Sequence, residues 1–194
     1  LTAVLASGYG VMFTVLDDFR AEYGISEIWL GAIVGIGFLA SFVSQVFVAP
    51  VADRGRARQL VVAGMLLNVV GLLTMAVGES LLPLLGGRLV SGIGVGMALP
   101  SVRRIVINAD PLNVGNNVGL LLASDVTGFA MGPVVSAILV PWLGLPAPFI
   151  FIAALTLVLM TLGFRVEIVE ASRDVAPTQR FAFDLLRNRA LVAG

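Results

Sequence analysis

Cysteine, histidine and lysine are all absent from this 194-residue chain, and charge of either sign is scarce. Without cysteine there is no disulfide, no thiolate chemistry and no Cys-based metal site. Without histidine the commonest zinc ligand and the commonest general base are missing, which excludes most membrane metalloproteases and Ser-His hydrolases. With lysine gone too, no nucleophile–base pair of an integral-membrane enzyme can be assembled, so the chain does not read as an enzyme. The twelve basic residues, all arginine, are balanced by twelve acidic ones, and a net charge of zero points to neither nucleic acid nor an acidic partner. Only 12% of the residues are charged, against about 25% in a soluble domain. What fills the chain instead is 58% hydrophobic residues at a mean hydropathy of +1.01, a membrane-class composition.

The apolar runs fall into six segments: 1–16, 28–48, 60–77, 81–102, 118–140 and 147–164. Most have about the length a helix needs to cross a hydrocarbon core of roughly 30 Å. The first is short, opens on Leu1 and lacks the basic start and cleavage site of a signal peptide, so it reads as a span whose first residues lie upstream. Between segments one and two lies an acidic loop, 17–27, and between four and five a polar connection, 103–117. The stretch 166–194 reads as a charged cytoplasmic connection, with 181–194 either approaching a further span or lying on the inner leaflet.

Orientation follows from the arginines. The connections after segments one, three and five hold only Arg20, whereas those after two and four hold Arg54, Arg56, Arg58, Arg103 and Arg104. By the positive-inside tendency both ends of the segment are cytoplasmic, with membrane lipid the surrounding partner. The expected fold is therefore all-α and integral to the membrane, with six transmembrane helices. Ser7-Gly8-Tyr9-Gly10 in segment one resembles Ser91-Gly92-Ile93-Gly94 in segment four, and these segments cross in opposite directions, as two inverted three-helix repeats require; chance likeness among small residues is the alternative.

Several residues stand out against this background. Arg88 lies inside segment four, where a mid-helix arginine costs about 2.5–3.5 kcal/mol; it either snorkels to the outer interface or is a buried charge that holds an anion or tunes a carboxyl. Gly92 and Gly96 follow it and permit close helix approach. Asp125 sits well inside segment five, too short to snorkel; it is either a carboxyl that takes up and releases a proton or a structural acid bonded to Asn68 or Arg88. Gly128, Gly132 and Ser136 share a face of the same helix, and Pro133 leaves the carbonyl near Phe129 without its donor. Asp53 stands past the end of segment two, where a helix C-terminus repels a carboxylate. It is either solvated or latched to another helix's N-terminus, with Arg54 and Arg58 among the charges that offset it. Tyr9, Thr14, Ser41, Gln45 and Asn68 are the polar, uncharged candidates for lining a cavity.

Three stretches resemble one family, the major facilitator superfamily of secondary transporters. Ala49-Pro50-Val51-Ala52-Asp53-Arg54-Gly55-Arg56-Ala57-Arg58 is similar to the family's loop GxLaDrxGrkxxl, with Gly55 one place before the second glycine and Arg56 in its position. Arg88-Leu89-Val90-Ser91-Gly92-Ile93-Gly94-Val95-Gly96 resembles the helix-four motif RxxqGxgaa. Gly128 to Ala137 resembles the helix-five motif gxxxGPxxGG, which the family associates with exporters and especially proton-coupled antiporters.

The resemblance implies that residues 1–165 form an N-terminal six-helix bundle, half of a twelve-helix fold, with a small-molecule substrate held between this half and a missing C-terminal half. It implies that Asp53 and the loop arginines latch one closed state and that Arg88 assists proton coupling. No metal or organic cofactor is implied; the expected energy source is a proton gradient across the inner or plasma membrane. An uptake symporter or facilitator is the alternative within this class, and a non-transporting scaffold or sensor the alternative outside it.

Overall fold

The computed structural model describes residues 1–163; the expected connection 166–194 lies outside the described residues, as do the side chains of Ala49 and Asp53. All regular structure among the described residues is helical: α1 Thr2–Thr14, α2 Leu16–Tyr23, α3 Glu27–Val51, α4 Ala57–Ala76, α5 Leu81–Ala109, α6 Val114–Leu143 and α7 Pro146–Gly163. From α3 to α7 there are five helices long and apolar enough to cross a membrane. Backbone amides in lipid must bond internally, which leaves such runs no alternative to a helix. The first expected span is the short one, the thirteen residues of α1, about 20 Å long.

Two polar stretches differ from the sequence expectation. The acidic segment 17–27 is not a loop: 16–23 forms α2, with Asp17 and Asp18 in its first turn, where the positive helix end favours them. Gly24 closes it at φ 64°, its N–H bonding to the Arg20 carbonyl at 3.1 Å. Arg20 then donates to Glu27 at the start of α3, at 2.5 Å. The connection 103–117 is largely helical too. Nothing from Val102 to Ala109 breaks a helix, so α5 runs on until Asp110-Pro111, a single 3₁₀ turn follows over Pro111–Asn113, and α6 begins at Val114. Arg103 and Arg104 are therefore helical residues.

Helix pairing is set by small residues. α6 lies on α1, α5 on α3, and α4 on both α5 and α7. Gly128 rests against the Ala3 backbone and Gly132 against Ser7, Gly10 and Val11. Gly92 rests against Gly37 and Ala40, and Gly96 against Ser41 and Ser44. Gly71 meets Gly87 and Ser91, and Gly64 meets Gly94 and Ala98, along the α4–α5 seam. A Cβ at Gly64, Gly71, Gly92, Gly96, Gly128 or Gly132 would strike backbone, so their spacing brings helices closer than larger residues allow. An apolar core of Val11, Met12, Ile33, Leu72, Leu84 and Phe149 fills the space between, toward the end that carries α2.

Charge separates along the bundle. Leu1, Arg58, Val102, Ile105 and Gly163 surround one cavity at one end. Asp18, Glu22, Gly144 and Leu145 surround another. Arg54, Arg56, Arg58, Arg103 and Arg104 belong to turns and helix ends on the first side, and Asp17, Asp18, Glu22, Glu27 and Glu79 to those on the second.

Candidate functional site

Arg88 is the largest fully buried side chain among the described residues, at 1% exposure. It does not snorkel to an interface. It lies between α1, α3 and α5: the guanidinium stacks on the Tyr9 ring, Cζ 4.1 Å from the centroid, and Nε lies where a Cβ on Gly37 would otherwise be. Tyr9 is fixed in turn, its hydroxyl donating to the Gly37 carbonyl at 3.2 Å. Gly37 thus serves twice, by lacking a side chain and by offering its carbonyl. The Arg88 Nε and Nη2 have no hydrogen-bond partner among the described residues. A cation over a ring face is worth about 2 kcal/mol or more when desolvated, comparable to the insertion cost of a mid-helix arginine.

Asp125 is not bonded to Asn68 or Arg88, the partners the sequence suggested. Its Oδ2 accepts from Arg103 Nη2 at 2.8 Å, linking α6 to the extended last turns of α5. Its Oδ1 is buried without a partner. The sequence places Arg103 in a connection, which hides it as a partner; the signal for it is the absence of any helix breaker between Val102 and Ala109. Asn68 instead takes a hydrogen bond from Ser91 Oγ at 2.7 Å, inside the α4–α5 seam.

The remaining candidates divide by location. Ser41 is buried at the α3–α5 contact and Gln45 donates to its Oγ at 3.2 Å. Thr14 is exposed at the end of α1. Tyr9 is buried under Arg88. Near Tyr9, Phe38 from α3, Phe13 from α1 and Phe129 from α6 form a chain of ring contacts. Nothing in the sequence singles out these three phenylalanines, since helical spacing alone does not relate rings on separate helices.

Gly128, Gly132 and Pro133 act together. Pro133 removes the donor that the Phe129 carbonyl would have had, and that carbonyl abuts Gly10 of α1, whose missing side chain makes room for it. In the α3–α4 turn Gly55 has φ 77°, flanked by Arg54 at φ −89° and Arg56 at φ −108°. The left-handed residue the turn requires is therefore Gly55 itself, and Arg56 fits the next position without strain. Arg54 is exposed, Ala52 and Ala57 are buried on either side, and Arg58 is half-buried. This places Asp53 and Arg54 in the turn and Arg58 in the first turn of α4.

Residues 1–193 match the family described as Major Facilitator Superfamily. The chain is 26% identical over 127 residues to the quinolone resistance protein NorA of Staphylococcus aureus (strain MRSA252), covering 65% of this chain and 33% of that protein. It is 31% identical over 141 residues to the multidrug resistance protein MdtH of Shigella dysenteriae serotype 1 (strain Sd197), covering 70% of this chain and 33% of the relative. The chain spans about a third of the length of these curated relatives.

Proposed function

The chain belongs to the Major Facilitator Superfamily, and from that membership we propose that it forms one half of a secondary transporter that exports small molecules at the expense of a proton gradient. Its relatives include proteins named for quinolone and multidrug resistance, which supports export of drug-like solutes over uptake. The membrane is the cell membrane, with the arginine-bearing end of the bundle cytoplasmic. Substrate passes between this half and a second one downstream, which rocks against it to expose the site to either side in turn.

The observation that carries the proton-coupled reading is the Arg103–Asp125 pair. Asp125 is an acid within a span, held by one oxygen to an arginine on another helix, with its second oxygen buried and unpartnered. Such a carboxylate can hold either Arg103 or a proton. Arg88 cannot relay that proton itself, because a guanidinium stays protonated; its part is a fixed positive charge inside the bundle. Asp53 and Arg54 in the turn between α3 and α4, with Arg58 in the first turn of α4, latch the closed cytoplasmic end.

The test uses the complete protein in proteoliposomes with a quinolone as solute. A pH gradient drives accumulation by the native protein, and Asp125→Asn lowers gradient-driven accumulation at least tenfold while leaving exchange at equal pH intact. Undiminished pumping by Asp125→Asn removes the carboxylate from the coupling step. Absence of solute movement by the native protein under a gradient of either direction removes the transporter reading.

A further inference from the structure

The helices are not fastened to one another alike. α6 lies on α1, while α5 lies on α3 and α4, and α4 on α7; contacts of α1 and α6 with the other spans are slight. Within each group helices meet backbone to backbone. A Cβ on Gly10 of α1 would strike the Phe129 carbonyl of α6, and one on Gly94 of α5 the Gly64 carbonyl of α4. Between the groups the fit is looser. Gly8 is the glycine of α1 that faces α4, and a Cβ there would stand at an ordinary 3.7 Å from Leu72 Cδ2. Tyr9 reaches the α3–α5 pair through its side chain alone, with its ring against Arg88 and its hydroxyl on the Gly37 carbonyl. The two ends of this boundary also differ. Toward α2, Val11 and Met12 of α1 share one core with Ile33, Leu72 and Phe149. Toward the arginines, a cavity of about 140 Å³ opens between Leu1 and the side chains of Met65, Ile105 and Met160. There Arg103 of α5 bonds to Asp125 of α6 at 2.8 Å.

We infer that the α1–α6 pair is a hinged element inside this half. It pivots on the core at the α2 end, and the Arg103–Asp125 ion pair clasps its other end to the remaining spans. Packed helices slide or tilt as units, and close-packed contacts shift between discrete arrangements rather than stretch. Moving α6 without α1 would part the glycine seam along its length; tilting both together leaves that seam intact. The contacts that cross the boundary tolerate the tilt. A cation is held by a ring face anywhere within about 6 Å of its centroid, so Arg88 keeps Tyr9 through a small displacement. Around the cavity, the lining atoms lack the neighbours that would resist one. An ion pair whose side chains are 40% and 18% exposed is a weak fastening, suited to a clasp that opens. The inference goes beyond the transporter reading, in which a second half moves against this one, because it places a moving boundary within this chain.

Double electron–electron resonance on the complete protein in lipid nanodiscs tests this, with no gradient and no solute present. Nitroxides go on pairs of cysteines introduced at four exposed positions: Leu1 at the start of α1, Leu120 on α6, Phe47 on α3 and Leu162 on α7. Roughly 27 Å of helix separate Leu120 from Ile138 near the pivot, so a tilt of about 10° moves Leu120 by about 5 Å. In Asp125→Asn the population with Leu120 that much farther from Phe47 and from Leu162 rises about two- to fivefold over the native protein, as loss of a partly exposed ion pair allows. Arg103→Ala gives the same rise, and Asp125→Glu, which keeps the clasp, does not. The Leu1–Leu120 and Phe47–Leu162 distances stay native in every variant. Native distances from Leu120 in both Asp125→Asn and Arg103→Ala overturn the hinge. A changed Leu1–Leu120 distance overturns α1–α6 as the moving unit, and a changed Phe47–Leu162 distance shows a general loosening and overturns it too. No transport is measured, so failure here leaves the transport reading standing. Loss of gradient-driven pumping with these distances as expected bears on that reading alone.

Discussion

Replacing Gly132 with alanine adds one methyl group to α6, and the geometry fixes where it goes. The new Cβ would lie 2.5 Å from the Ser7 carbonyl oxygen and from the Val11 nitrogen, and 2.6 Å from the Gly10 carbonyl carbon. All three are backbone atoms of α1, so no side chain can swing aside. The helices must part by about 0.5–1 Å, a gap that forfeits a quarter to a half of the dispersion well for atom pairs along the seam. Overpacking of this kind costs about 1–3 kcal/mol. At about 2–4 °C per kcal/mol for a unit of this size, Gly132→Ala lowers the apparent melting temperature by about 2–12 °C. The control is on the same helix. Gly119 has no atom within 4 Å of a Cβ built on it, so Gly119→Ala gains helix propensity, up to about 1 kcal/mol on an exposed helix surface. Thermal unfolding of the complete protein in detergent, followed by circular dichroism at one scan rate, compares the two directly. The opposite signs are the prediction. Equal stability of Gly132→Ala and Gly119→Ala would refute the α1–α6 contact as the reason for the glycine.

Three further outcomes follow from other contacts. Gly55→Ala forces a side chain into the left-handed region at φ 77°, costing about 1–2 kcal/mol, and Gly55→Asn costs less; the same thermal scan reads both. A double-mutant cycle of Arg103→Ala and Asp125→Ala gives a coupling of only about 0.5–1 kcal/mol, because the side chains are 40% and 18% exposed; a coupling near zero means that the pair is not held in the folded protein. Ser91→Ala removes the donor to the buried Asn68 oxygen and destabilises by about 1–3 kcal/mol. The double variant Ser91→Ala with Asn68→Leu recovers most of that loss, and no recovery would show that packing, not the hydrogen bond, sets the cost.

Hydropathy carried the fold because lipid leaves the backbone only one arrangement, so helix positions from 27 to 163 were legible in the composition of each run. Polar stretches were harder. The segment 16–23 and the residues from Arg103 to Ala109 are helical, yet both look like connections in the sequence, since charge in a membrane-class chain marks the usual end of a span. A helix ends where its backbone bonds fail, at Gly24 and at Asp110-Pro111, not where its side chains turn polar. Burial of Arg88 was one of two open readings, and charge alone cannot decide between them. What decides is Gly37 on α3 and Tyr9 on α1, residues from other helices that make a socket with no sequence signature at Arg88. Asp125 shows the same limit. Its depth was legible, but its partner depends on which helix lies alongside, and that contact is set by the small residues of the seams.

The pairing of those seams bears on the expected repeat. Exchange of α1 with α5, α3 with α6 and α4 with α7 turns the α1–α6 contact into the α5–α3 contact and leaves α4–α7 unchanged, but it turns the extensive α4–α5 seam into the slight α1–α7 contact. The two seams that correspond are each built on glycine: Gly128 and Gly132 of α6 against α1, and Gly37 of α3 against Gly92 of α5. In the second of them Gly37 also faces Arg88, and the gap left by its missing side chain admits the guanidinium. The buried charge thus occupies a small-residue contact, which explains how a packing seam holds an arginine.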